Sequence, residues 1–281
     1  VRVALVSTSS GHDPHEAASA ATGLVPGRPG LNPLRFTTTY VVRRETLNLI
    51  RKLSERLKHI KSARLPTGTE LSEDEAYCFE RFAVGETVRV ETSANEKDMA
   101  ANLRSVRDAV RSADFVMVSH HYHMPSLDLD YPSDVAVSFA KACIDEGADI
   151  YIGHGPHRDQ GIDIYRGRPI FYSLGNLFAQ SQFLSRIPSD AFETYGLDLD
   201  TLSTLTVSDY HNARVGVLPP SYPPDASHPL WWESVIATVR FEEGKLEELK
   251  LHPVTLGYGH PGPERKAGNT VAGWPLPAPP E

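Results

Sequence analysis

Val116-Met117-Val118-Ser119-His120-His121-Tyr122-His123 and, about thirty residues later, Gly153-His154-Gly155-Pro156-His157 are the stretches on which the fold turns. Each histidine cluster follows a short apolar run, 114–119 and 149–152, of the kind that forms a buried strand. The intervening residues 133–146 read as a helix. Ser133 is placed to cap it, Val135, Phe139 and Cys143 recur at four-residue intervals, and Gly147 stands where a helix stop needs positive φ. Strand, helix, strand is a βαβ crossover, which makes its two strands parallel and delivers both histidine clusters to one sheet edge.

Five of the 12 histidines fall in these two clusters. Imidazole is the commonest protein ligand for zinc, iron, manganese and copper, so the clustering predicts a metal site. A single histidine on an apolar face is more often a satisfied core or surface residue. His121 and His123 alternating about Tyr122, with His154 and His157 three apart beside small turn-forming residues, shift the balance toward ligation.

The chain of 281 residues is long enough for one large α/β domain, expected over 1–260, followed by a Pro/Gly-rich tail, 261–281, without regular structure. A formal net charge of -8 offers no basic stripe for a nucleic-acid backbone, so nucleic-acid binding is not expected. No apolar run of ~18 residues is present, and membrane association is expected only through segments outside this sequence. Cys78 and Cys143 do not form a disulfide framework; Cys143 lies in an apolar helical pattern and reads as a buried thiol. CxxC spacing is absent, which favours His with oxygen ligands for any metal.

Outward from the centre, 2–7 and 36–42 read as strands, 44–60 and 95–112 as amphipathic helices, and 86–91 as an edge strand. The apolar face of the second helix is read as Met99, Leu103, Val106 and Val110. Residues 8–34 form a loop whose length points to function or partner contact, with Arg28 and Arg35 its first candidates beside a plain role in surface solubility. Residues 61–82 are mixed and polar. Hairpins are expected at 162–173 and 233–253, and an insertion or lid at 180–230.

Val118-Ser119-His120-His121-Tyr122-His123, Ala142-Cys143-Ile144-Asp145-Glu146-Gly147-Ala148-Asp149, Gly153-His154-Gly155-Pro156-His157 and Gly167-Arg168-Pro169-Ile170-Phe171-Tyr172-Ser173-Leu174-Gly175-Asn176, taken in order, resemble the CapA family of capsule and poly-γ-glutamate synthesis proteins. Arg28-Pro29-Gly30-Leu31-Asn32-Pro33-Leu34 and the last hairpin extend the resemblance over most of the chain. That family is similar to the calcineurin-like metallophosphoesterases. The resemblance implies an α/β fold of the four-layer αββα sandwich type and a site for divalent metal ions, two in the complete protein, of manganese, iron or zinc. It implies His121, His154 and His157 as metal ligands and His123 as a catalytic residue. Met124 stands where a carboxylate commonly follows, and His154 and His157 are one residue further apart than in the phosphoesterase Gly-His-x-His. The family's Asp-bearing and Asn-Asn-His blocks normally precede a strand like 2–7, so this sequence is expected to correspond to an amino-terminally truncated, carboxyl-terminal portion.

Asn176 and Asp159, with Asp163, are candidates to orient ligand imidazoles, and Arg28 to contact substrate, although loop and turn chemistry is the commoner role for such residues. The expected function is a metal-dependent, phosphoesterase-like hydrolase of capsule or poly-γ-glutamate biosynthesis acting on an anionic polymer or small molecule. A non-catalytic assembly or binding protein on the same scaffold is the alternative. The expected place is the cell envelope or extracytoplasmic face, with the cytoplasm as the other option.

Overall fold

Strand formation follows the two-residue alternation of buried side chains along the central apolar runs. A computed structural model of the chain describes residues 1–60, 70–123, 125, 126, 128–178, 186–198, 200, 203–207, 209, 210, 229–256 and 276–278. It is an α/β protein whose described residues form sheets of five, four and three strands. They divide into two compact units: 1–155 with 160–172, and 156–159 with 173–281.

In the first unit, β1 (Val3–Ser9), β6 (Phe115–His121), β7 (Ile150–His154), β9 (Arg168–Phe171) and β8 (Ile162–Tyr165) form the five-stranded sheet in that order. β1, β6, β7 and β9 are mutually parallel, and β8 closes an antiparallel hairpin on β9. The crossover between β6 and β7 is α3 (Asp134–Asp145), with Ser133 as its N-cap, accepting from the Ala136 N–H, and Gly147 at φ 101 after its end. His123 and His157 follow their strands as the sequence suggested, but the other three histidines of the clusters lie within them. His120 and His121 are the last residues of β6, and His154 is the last of β7.

The second sheet, β3 (Glu75–Cys78), β4 (Glu80–Val84), β2 (Phe36–Val42) and β5 (Arg89–Ala94), carries α1 (Arg44–Leu57). β3 and β4 arise from residues whose mixed polarity hid their alternation, and the edge strand expected over 86–91 sits three residues later. Part of that region, 61–69, lies outside the described residues.

α2 (Glu96–Ser112) starts from Asn95, whose side chain accepts the N–H groups of Lys97 and Asp98. It packs with α3 over the sheet face bearing Val116, Val118 and Tyr151, and Phe139, Ala140 and Cys143 of α3 are fully buried there. Val106 is fully buried and Met99 and Leu103 pack partly buried against the core, in line with the stripe read from the sequence, but Asp98, Asn102 and Ala109 are buried beside them and Val110 is 39% exposed. The buried polar pair has a mechanical use. Asn102 donates to the carbonyls of Pro33 and Asp98, both at 2.9 Å, and accepts from Asn32 Nδ2 at 2.6 Å. Asp98 receives Arg35 through Nε at 2.7 Å, Nη2 at 2.6 Å and the backbone N–H at 2.9 Å. Those bonds, above all from the Arg35 side chain, hold the Asp98 carboxyl below its ordinary pKa. Together they tie down the return end of the long loop between β1 and β2.

β1 is an edge strand. Val3 and Leu5 expose 60% and 63% of their surface, because they alternate with Ala4 and Val6 and lie on the sheet face opposite the one packed on the core.

The second unit contains α4 (Ser189–Thr194) and the hairpin of β10 (Glu233–Glu242) and β11 (Lys245–Thr255), turning at Glu243 and Gly244 with φ 48 and 75. β12 (Leu276–Pro277) pairs with β11, so the tail is not devoid of regular structure; its remaining residues, like much of 180–230, lie outside the described set.

Replacing Asn102 by alanine removes three buried hydrogen bonds while leaving the Pro33 carbonyl without its donor. We expect a loss of about 1–3 kcal/mol in urea denaturation, with faster proteolysis within residues 10–34 than elsewhere. A variant as stable and as resistant as the parent would show that Asn102 does not hold the loop.

Candidate metal centre

Successive side chains on a strand point to opposite faces, and this decides what each histidine of the first cluster does. Val116, Val118 and His120 share the buried face of β6. His120 is fully buried, edge-on to Phe139 and tilted against Tyr122. Its Nδ1 lies 2.6 Å from the Tyr151 hydroxyl and its Nε2 lies 2.8 Å from Ser10 Oγ, which is itself 2.7 Å from the Leu34 carbonyl. The acceptor at the end of this chain orders it. Ser10 donates to Leu34, His120 Nε2–H donates to Ser10, and Tyr151 donates to Nδ1. Ser10 therefore has no base available and is not a nucleophile; the group is a structural relay joining the loop to β7. Burial, and then the nearby His154 and His121, pushes the His120 pKa down to about 3.

Ser119 and His121 point to the opposite face. The parallel register sets His121 beside His154. Their Nδ1 atoms are 3.1 Å apart, with ring centroids at 5.1 Å, and Ser119 Oγ lies 2.9 Å from His154 Nε2. Partial burial, then His121, lowers the His154 pKa. His123 stands edge-on to His121 at 4.8 Å, and a side chain at Gly11 would press on the His123 ring at 3.1 Å. A further contact fixes the strand ends: the Tyr122 N–H donates to the His154 carbonyl at 2.8 Å. A Cβ on Gly153 would run into the Tyr172 carbonyl, and one on Gly155, at φ 120, into the Tyr122 carbonyl. Both glycines permit backbone approach at this edge.

His157 belongs to the second unit. It adopts φ 59, and its Nδ1 donates to Asn176 Oδ1 at 2.7 Å while Asn176 Nδ2 donates to the His157 carbonyl at 3.1 Å. This exchange places an imidazole N–H on Nδ1. Asp159 bridges Leu174 through its backbone; among the described residues no donor reaches its Oδ1, and burial, then Glu233, raises its pKa to about 6. Gly175 at φ 72 makes room for that carboxylate, which a Cβ would approach to 2.7 Å. Asp163 lies on β8 opposite Lys141, its Oδ2 3.8 Å from the ammonium.

Arg28 binds its own loop. Its Nε and Nη2 donate to the Ala17 carbonyl at 3.2 and 2.8 Å, bracing the turn that carries Asp13, His15 and Glu16. Ligand atoms of those three exposed residues lie within 4.8 Å of one another, an arrangement common among surface acids without an ion. Sequence reading did not single out Ser119 or the Ser10–His120–Tyr151 relay. The run Val116, Val118, His120 contained the signal for the latter, since period two places all three inward.

An α/β sheet that presents a histidine pair at the carboxyl ends of adjacent parallel strands defines a protein with a strand-edge polar site. Residues 2–181 match the family described as bacterial capsule synthesis protein PGA_cap, and the chain belongs to that family. An uncharacterized protein of Sinorhizobium fredii, y4sH, is 35% identical over 267 residues, covering 92% of this chain and 54% of that protein. The PGA biosynthesis protein CapA of Bacillus subtilis is 37% identical over 110 residues, 38% of this chain and 28% of its own length. The capsule biosynthesis protein CapA of Bacillus anthracis is 42% identical over 86 residues, 31% and 20% of the respective chains. The chain spans about half the length of the Sinorhizobium relative.

Adjacent histidines should respond oppositely to truncation. His120→Ala leaves a cavity and strands the Tyr151 hydroxyl, with an expected cost of about 3 kcal/mol or more, whereas His121→Ala changes stability by less than about 1 kcal/mol in metal-free buffer. The pH dependence has a definite sign. An unfolded chain protonates His120 near 6.5 and the folded chain only near 3, so folding stability is lost as pH falls through that window. His120→Ala should therefore show a shallower acid slope between those pH values in chemical denaturation; an unchanged slope would place the titrating group elsewhere.

Proposed function

We propose that this chain is the metal-site portion of a CapA-type protein of capsule or poly-γ-glutamate biosynthesis, a metal-dependent hydrolase on a metallophosphatase-like αββα sandwich. The observation that carries this reading is the His121–His154 pair. Two nitrogens each ~2.0–2.1 Å from a zinc ion and 3.1 Å apart subtend roughly 95–102° at the metal, between octahedral and tetrahedral values. A divalent cation would engage both Nδ1 atoms, whereas between the two neutral rings at most one can donate to the other. Asp159, with an oxygen that no donor among the described residues reaches, is the kind of carboxylate a cation or a proton satisfies.

His121 and His154 would hold the ion, and His157 is the ligand that the family resemblance implies. A bound divalent ion supplies Lewis-acid polarisation to an anionic ester or amide oxygen. The protein's own residues do the rest. Ser119 and Asn176 orient imidazoles, Gly153 and Gly155 keep the strand edge close, and His123 is placed beside His121 to move a proton at an exposed position. Substrates of this class are anionic polymers or their small-molecule precursors, and the site of action is the cell envelope.

One observation favours a non-catalytic assembly role on the same scaffold. Among the described residues of the first unit, no third His, Cys, Asp or Glu joins His121 and His154 within 4.8 Å. Metal titration followed by turnover of bis-p-nitrophenyl phosphate separates the two readings. Catalysis predicts one or more equivalents of Zn²⁺ or Mn²⁺ bound, with hydrolysis reduced at least ~100-fold in His121→Ala, His154→Ala and His157→Ala, and with each variant still folded. Stoichiometric metal with no turnover would support the binding role. In the complete protein, His154→Ala should also abolish polymer production.

A further inference from the structure

The hydrogen bond between Ser119 and His154 bears on how the histidine pair accepts a cation, an inference that rests on the metal reading above. Ser119 precedes His121 by two residues on β6, so both side chains leave the strand on the same face. Its Oγ lies 2.9 Å from Nε2 of His154, the ring nitrogen turned away from His121. On the other side of that ring, Nδ1 lies 3.1 Å from Nδ1 of His121. Each neutral imidazole carries one N–H and one lone pair, and which nitrogen holds the proton is set by the partner of the other. If Ser119 donated to Nε2, the His154 proton would sit on Nδ1, between the two rings, where a cation would have to go. If Ser119 accepts, the proton sits on Nε2 and Nδ1 presents a lone pair toward His121.

We propose that Ser119 is a positioning residue that accepts the Nε2–H of His154 and so keeps Nδ1 as the ligating nitrogen. In the metal-free protein the second case leaves one proton between the rings, carried by His121 Nδ1 and donated to His154. A cation entering the gap takes the place of that proton. His121 loses that proton from Nδ1 to solvent and gains one from solvent on Nε2, remaining a neutral imidazole, with no change at His154. His154 is thus the preorganised ligand of the pair and His121 the one that changes its proton. The strand holds Ser119 rigidly for this purpose: its backbone lies within the β6–β7 register, opposite Ile152. A hydroxyl suits the position because it accepts an N–H without introducing a competing charge or a competing metal ligand as strong as a thiolate.

The test uses the chain as it stands, with Zn²⁺ and Co²⁺ affinities measured by competition against a chromophoric chelator. His tautomers are read separately by long-range ¹H–¹⁵N NMR of the metal-free protein. Ser119→Ala should weaken metal binding about 10-fold or more, a typical effect of losing an outer-shell partner, with Ser119→Thr restoring it through the retained hydroxyl. His154 should show the Nε2–H form in the parent and in Ser119→Thr, and a mixture in Ser119→Ala. Thermal unfolding of all three should agree within a few degrees. Unchanged affinity in Ser119→Ala, with affinity lost in His154→Ala, would overturn the role of Ser119 and leave the metal reading standing. Absence of binding in the parent, or parental affinity in both His121→Ala and His154→Ala, would overturn the metal reading and this proposal with it. An Nδ1–H tautomer of His154 in the parent would overturn the proposal alone.

Discussion

Parallel pairing of β6 with β7, in the register that sets His121 against His154, is the constraint from which the local chemistry follows. Parallel strands are joined only by a crossover, and α3 supplies it with an apolar face that buries Phe139, Ala140 and Cys143 against the sheet. Because side chains alternate at period two, the same register sends His120 into that core and Ser119 and His121 to the opposite face. A shift of one residue would exchange these roles, exposing His120 and driving His121 against Phe139. The core thus specifies the site. The packing of Val116, Val118 and Tyr151 decides which histidines remain available for chemistry.

The same economy appears where the backbone must come close or be held. Gly153 and Gly155 admit the carbonyls of Tyr172 and Tyr122 at distances no side chain would permit. The β1–β2 loop is held from below by Asn102 and Asp98 on the buried face of α2, and from its entry by Ser10 bonded to His120. Buried polar groups of this kind stabilise modestly when satisfied and cost much when broken, so they favour one loop conformation over alternatives. The loop also leads past Gly11, which lies against His123. Order in the loop and order at the strand edge are therefore coupled through the first unit.

Membership in the capsule synthesis family gives the histidine pair a biological setting, while the chemistry must come from the residues. His121, His154 and Ser119 form a compact donor set in one unit; His157 and Asn176 form another in the second, where a reciprocal pair of hydrogen bonds fixes the ring. Arg28, a candidate for substrate contact by sequence, instead spends its guanidinium on its own loop. The lowered pKa of His154 suits cation binding, since protonation would remove the ligating lone pair.

Much of the first unit was legible in the chain of letters. Apolar runs, the Ser133 cap and Gly147 marked the crossover, and parallel strands followed from it, because local propensity and chain connectivity leave few alternatives. The motif order likewise led to the family. Strands β3 and β4 were hidden because their alternation is diluted by polar residues and becomes meaningful only once β2 pairs with β4. The face of α2 was legible in Met99, Leu103 and Val106 but not in its polar part: Asp98 and Asn102 look like solvent-facing residues until Arg35, Asn32 and Pro33 arrive from more than sixty positions away. The clustered histidines announced a site, but not their division of labour. Whether an imidazole becomes core or ligand depends on strand register, on which face the helices cover and on a hydroxyl such as Ser119 within hydrogen-bond reach, and these are relations between distant segments that no local pattern encodes.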